Sequence, residues 1–90
     1  MQVMYELAFH PDVAKDLRGL DRSIKQRTLD KIQWLLEHVE EMHHESLTAQ
    51  WEGMYRLRVG DYRVVYGIDR EHRQITVYAV GHRREIYKLR

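Results

Sequence analysis

Polar and apolar positions alternate at the start of the chain, from Gln2 to Phe9. Val3, Tyr5, Leu7 and Phe9 share one side, with Gln2, Met4, Glu6 and Ala8 on the other. A period of two predicts a β-strand. Pro11 and Asp12 then suit the first turn of a short helix, whose inner stripe is Val13, Ala14 and Leu17, and Gly19 ends it. Asp21 is placed to cap a longer helix. At 100° per residue Ile24, Leu29, Ile32, Leu35, Leu36 and Val39 fall on one arc, so this helix runs to about Val39 or Glu40. Trp34 lies off the arc. It reads either as a residue packed at the helix edge or as an anchor for a protein partner. Residues 41–53 show no period and read as a loop. Strands follow at about Met54–Val59, Tyr62–Asp69 and Gln74–His82. The expected order is β-α-α-β-β-β with a short tail: an α+β fold in which an antiparallel sheet carries two helices on one face and leaves the other partly open. The first strand cannot hairpin with the second, because two helices intervene.

The 90 residues fit a single domain, 43% hydrophobic and 32% charged, which is a globular balance. No apolar run is long enough for a membrane span, and the alternating start with Glu6 is unlike a secretory leader. The absence of cysteine excludes disulfides and thiolate metal sites and is compatible with a reducing cytoplasm. His38, His43, His44 and Glu45 cluster in sequence without a metal-ligand spacing and read as solvated loop residues. No metal or cofactor is expected.

The net charge of +1 conceals an asymmetry. Residues 1–54 carry six basic and ten acidic side chains, net −4, whereas residues 55–90 carry nine basic and four acidic ones, net +5. The excess is almost wholly arginine, which binds phosphate in planar, two-pronged contacts. The run Tyr55-Arg56-Leu57-Arg58-Val59-Gly60-Asp61-Tyr62-Arg63-Val64-Val65-Tyr66 alternates arginine with apolar residues about a Gly-Asp pair suited to a type II′ hairpin turn. Such a turn sets Val59 against Tyr62, Arg58 against Arg63, Leu57 against Val64 and Arg56 against Val65. Tyr55, Leu57, Val59, Tyr62, Val64 and Tyr66 then face the helices, and Arg56, Arg58 and Arg63 face outward. Like charges directly opposite are destabilising, so an Arg58–Arg63 pair with no acid nearby points to an anionic ligand. The competing reading is that both side chains splay into water or pair with Glu6 or Glu85. A four-residue loop, Arg70–Arg73, would bring Val80 beside Arg63, with His82, Arg83 and Tyr87 arriving at the same end. This set can hold a phosphodiester, neutralise charge on a pentacoordinate phosphorane and orient an RNA 2′-hydroxyl for in-line attack. Cleavage of that kind needs no metal. Acid–base help could come from His82, or from a tyrosine or arginine in a perturbed environment, and a phenol can instead stack on a base.

The hairpin run, together with Val80-Gly81-His82-Arg83-Arg84-Glu85-Ile86-Tyr87, resembles the RelE/ParE toxin superfamily, and its RelE branch in particular. The resemblance extends to the opening strand with Phe9, to Ala14-Lys15-Asp16-Leu17 and Leu20, and to Gly53. It implies a type II toxin that enters the ribosomal A site in the cytoplasm, cuts mRNA as a metal-independent endoribonuclease, and is held inactive by a cognate antitoxin in a hetero-oligomer. It also implies catalytic roles for Arg56, Arg58, Arg63, Arg83 and Tyr87. Beside these, the cationic tail residues Arg84 and Lys88 are expected to contact RNA, and Trp34, if it is a partner anchor, is expected to contact the antitoxin. Some members carry lysine at the first two positions. Arginine there suits charge stabilisation but not proton transfer. Two other readings stand beside this one: a ParE-like gyrase poison, and a non-catalytic RNA-binding module.

Overall fold

The computed structural model describes residues 4–88 of the chain. The elements are β1 (Glu6–Phe9), α1 (Val13–Arg18), α2 (Arg22–His38), β2 (Glu45–Ser46), a 3-10 turn (Ala49–Trp51), β3 (Tyr55–Val59), β4 (Tyr62–Asp69) and β5 (Gln74–His82). The Asp21 side chain accepts the Ile24 N–H at 3.0 Å, so the expected cap opens α2. The strands form one sheet in the order β1-β5-β4-β3-β2. The α+β class with two helices before the main strands is as expected. The sheet, however, is mixed and not antiparallel throughout. With two helices between them, β1 cannot fold back on β3, and it enters beside β5 in parallel. The loop expected at residues 41–53 also contributes a fifth strand, β2, antiparallel to β3, and the 3-10 turn. No helix among the described residues is long and apolar enough to cross a membrane.

The helix-side core joins Ile32, Leu35, Leu36 and Val39 of the α2 arm to Leu57, Val59, Val64, Tyr66, Ile75, Val77 and Val80 of the sheet. Thr28, which the apolar arc left out, is fully buried on α2. The apolar side of β1 is only partly covered: Tyr5 is buried and Leu7 packs on the core, but Phe9 is 43% exposed. It stands at the last position of the edge pairing, opposite Val77. Ala14 of α1 is likewise exposed, and Val13 takes the buried position. The expectation for Val3 lies outside the described residues.

The outer face carries a second, smaller cluster of Trp51, Val65, Ala79 and Ile86, with Leu47, Met54, Tyr78 and Tyr87 against it. Two segments thus lie over the sheet face opposite the helices: residues 47–54 and the tail. The tail turns back after β5, with the Glu85 and Ile86 N–H groups bonding the His82 carbonyl at 2.8 and 2.9 Å. Gly81 leaves the room: a Cβ there would lie 3.2 Å from Ile86 Cδ1.

Candidate phosphate-binding face

The β3–β4 hairpin has the expected register, Val59 opposite Tyr62, Arg58 opposite Arg63, Leu57 opposite Val64 and Arg56 opposite Val65. Gly60 takes φ 59° and Asp61 does not share it, as a type II′ turn requires. The β4–β5 register departs from expectation by one residue. A bulge between Val65 and Tyr66 makes Ala79 the partner of Val65 and Val77 the partner of Tyr66, so Tyr78 is the extra residue. Gly81, not Val80, therefore stands beside Arg63, and His82 stands beside Tyr62.

That shift decides where the tail residues go. His82 pairs with Tyr62 and meets its ring edge-on at 5.4 Å. Val80, two residues before it, is in the helix-side core. By strand alternation His82 leaves the sheet on the helix side, the opposite face from Arg56, Arg58 and Arg63. Its Nδ1 also accepts the Arg84 N–H at 3.2 Å. The structure does not bring His82 together with the arginines.

On the outer face an acid that the sequence pattern did not single out organises the cations. Glu45 of β2 stands opposite Arg56. Its carboxylate accepts Arg56 Nε at 3.0 Å, Arg58 Nε at 3.0 Å and Arg58 Nη2 at 3.1 Å. The expected absence of an acid near Arg58 is thereby corrected. So is the proposed pairing with Glu6 or Glu85, since β2 places a closer carboxylate. Arg63 turns away from Arg58 and donates Nη1 to the carbonyls of Gly60 and Tyr62, both at 2.8 Å. The two opposed arginines thus avoid each other without leaving the face. Arg83 is tied to the same turn: its N–H bonds the Asp61 carbonyl at 2.8 Å, and its exposed guanidinium approaches the Asp61 carboxylate at 3.8 Å. Tyr87 reaches Arg56. Its hydroxyl raises the guanidinium's pKa most, followed by Glu45, yet it forms no hydrogen bond of good geometry. The Glu45 carboxyl sits below the ordinary carboxylate range because Arg58 and then Arg56 donate to it. Arg84 and Lys88 are exposed on the tail.

The histidines between α2 and β3 do not share one fate. His44 is half-buried and bridges two elements: its Nε2 meets the Val39 carbonyl at 2.8 Å and its Nδ1 meets the Tyr66 hydroxyl at 2.5 Å. A carbonyl only accepts, so Nε2 carries the proton and Nδ1 accepts from the phenol. His44, expected to be solvated, instead fixes the strand that carries Glu45. Trp34 is 38% exposed, with Lys31 Nζ 4.1 Å from its ring centre and His38 stacked at 4.6 Å. It does sit at the helix edge. A groove of about 440 Å³ runs from it past Arg27 and Lys31 to Arg58 and Gly60.

The molecule is thus a short mixed sheet with two helices on one face and a row of arginines on the other. The chain matches the family model described as "ParE toxin of type II toxin-antitoxin system, parDE" over residues 7–87, and it belongs to that family, within the RelE/ParE superfamily of type II toxins. It is 28% identical to Toxin RelE of Mycobacterium tuberculosis over 85 residues, covering 94% of this chain and 88% of that protein. Among solved structures it is similar to the toxin–antitoxin complex RelBE2 of M. tuberculosis, with TM-score 0.80 and 25% identity over 91% of this chain and 94% of the other. The archaeal RelE–RelB complex of Pyrococcus horikoshii OT3 gives TM-score 0.71 and 25% identity over 92% and 99%.

Proposed function

We propose that this toxin is an endoribonuclease that cuts mRNA in the ribosomal A site and so arrests translation. The observation that carries the reading is the Glu45 clamp. Two arginines from one strand converge their guanidiniums on a pair of carboxylate oxygens, and the same fork geometry fits two oxygens of a phosphodiester. In this reading RNA displaces the Glu45 contact, and Arg56 and Arg58 transfer to the scissile phosphate. Arg63 and Arg83, held at the adjoining turn, add charge as the phosphorane forms. The 2′-oxygen bonds to phosphorus as its proton leaves, and the P–O5′ bond breaks as the 5′-oxygen gains a proton. The products are a 2′,3′-cyclic phosphate and a 5′-hydroxyl. Tyr87 stacks on or orients a nucleotide beside Arg56. Arg84 and Lys88 contact flanking backbone. His82, on the other face, is the weakest member of the expected set, and its part is limited to shaping the turn that carries Arg83.

The similar toxins of known structure occur in complex with a RelB partner, which supports a cognate antitoxin here, with the exposed Trp34 side of α2 as a contact. Expression in a cytoplasmic translation system with mapped mRNA ends tests the reading. Wild type should arrest translation and leave ribosome-dependent 5′ ends, and Arg58→Ala and Arg63→Ala should each lower cutting by about 10²–10³, the range for losing one transition-state donor. The name of the matched family favours one other reading, a gyrase poison. Growth arrest with intact mRNA and stalled gyrase would establish that reading in place of the nuclease.

A further inference from the structure

Asp16 breaks the pattern of its helix. Asp12, Lys15 and Arg18 around it are exposed, while Val13 is buried and Leu17 packs on the core. Asp16 is half-buried with that inward set, and an acid on the apolar side of a helix needs a partner there. Its partner is 64 residues away: Asp16 Oδ2 accepts the Val80 N–H at 3.0 Å. The reason lies in the sheet. Strand β1 ends opposite Val77, and the His10 N–H closes the pairing on the Val77 carbonyl at 2.8 Å. Strand β5 runs on from Tyr78 to His82 with β4 on one side and, among the described residues, no strand on the other. A strand N–H points to one edge or the other, and a buried one without a partner is destabilising. Val80 is buried, and the Asp16 carboxylate takes the place that β1 has vacated. What it holds is the end of β5 that feeds the phosphate face. Gly81, the next residue, stands beside Arg63. Arg83 then returns its N–H to the Asp61 carbonyl at 2.8 Å, which keeps its guanidinium at the hairpin turn.

We infer that Asp16 is a positioning residue for Arg83, acting through the Val80 N–H. The inference rests on the ribonuclease reading above and adds to it a residue from α1, on the helix side of the sheet. The role needs an acceptor at this point and not a charge. Asp16→Asn keeps an oxygen that can accept and so preserves the tie. Asp16→Ala takes that partner from the Val80 N–H and lets the end of β5 drift, with Arg83 on it. A small misplacement of a group that acts on the transition state lowers the rate steeply, even when the substitution lies far from the chemistry.

The test combines single-turnover cutting of ribosome-bound mRNA with amide exchange of 15N-labelled protein. Asp16→Ala should slow the cutting step about 10- to 100-fold and leave the half-saturating concentration of ribosome complex within about twofold. Asp16→Asn should restore the rate. In an Arg83→Ala background, Asp16→Ala should lower the rate by less than about twofold more, because the group it positions is gone. The Val80 and Arg83 amides should both exchange faster in Asp16→Ala and stay protected in Asp16→Asn. A thermal melt checks that each variant is folded. Asp16→Glu, which keeps the charge but displaces the oxygen by one methylene, replaces Asp16→Ala if that variant melts below the assay temperature. Three results each overturn the inference: an Arg83 amide that stays protected, an Asp16→Asn variant as slow as Asp16→Ala, or a loss as large without the Arg83 guanidinium as with it. If wild type cuts no mRNA, the ribonuclease reading fails, and the amide exchange alone then upholds or overturns the tie from Asp16 to Arg83.

Discussion

Glu45 is the residue on which the outer face turns. Its carboxyl, about a third exposed, accepts from two arginines and titrates below its ordinary 4.5 because they favour the charged form. An unfolded chain would bind that proton at higher pH than the folded one does. The pair's contribution to stability is therefore complete above about pH 4.5 and is lost as pH falls through the lower folded value. At this exposure the contribution is under about 1 kcal/mol. Glu45→Gln should lower the urea midpoint slightly at pH 7 and by progressively less toward pH 3, so that the two stability profiles converge in acid. The same substitution separates binding from turnover. Removing a resident carboxylate should tighten RNA binding, because the arginines no longer have a competing partner. Loss of the contact that aligns Arg56 with Arg58 should slow cleavage. Filter binding of a non-cleavable RNA and single-turnover kinetics measure the two effects separately.

At the scale of elements, the hairpin and the tail carry the site. The type II′ turn keeps Gly60 at φ 59°, and a Cβ there would also come within 3.2 Å of Arg27 Nη2. Gly60→Ala should cost about 1–2 kcal/mol, the penalty for a left-handed L-residue, and a denaturant titration would register it. The tail depends on Gly81. Gly81→Val should push Ile86 off the sheet and loosen Tyr87 from Trp51, while the helix-side core, built from other residues, stays intact. Trypsin should then cut at Arg83 and Arg84 several times faster, with little change in the thermal midpoint. Helix α2 was the plainest element to read, since its cap and apolar arc are local. Strand β2 was the least legible. Two residues show no period, and Glu45–Ser46 become a strand only because β3 offers an edge.

For the whole molecule, the charge asymmetry sets how it meets an anionic polymer. The half that nets +5 folds Arg56, Arg58, Arg63, Arg83 and Arg84 onto the hairpin and tail, while the half that nets −4 supplies α1 and α2. Single-stranded RNA binding should weaken with salt by a log–log slope of about −0.7 per phosphate contact. Arg58→Ala should therefore reduce the slope by about 0.7, measurable by fluorescence anisotropy between low and physiological salt. A cognate antitoxin that covers the arginine face should abolish both the binding and its salt dependence.

The sequence by itself determined the α+β class, the two helices, the β3–β4 register and the outward arginines. Each follows from periodicity, a cap or a two-residue turn, and these act between residues close in the chain. Three things waited for the tertiary structure. The parallel seat of β1 depends on which edge is free once the hairpins have formed. The Val65–Tyr66 bulge, which moved Gly81 beside Arg63 and His82 to the helix side, is a property of two strands packed on a core and not of either alone. The carboxylate between Arg56 and Arg58 arrives from eleven and thirteen residues away, on a strand that exists only by pairing. The pattern along the chain showed that the face would be cationic; only the folded sheet decided that its charge is shared with Glu45, and the reason is that opposite charges seek contact in space and not in sequence.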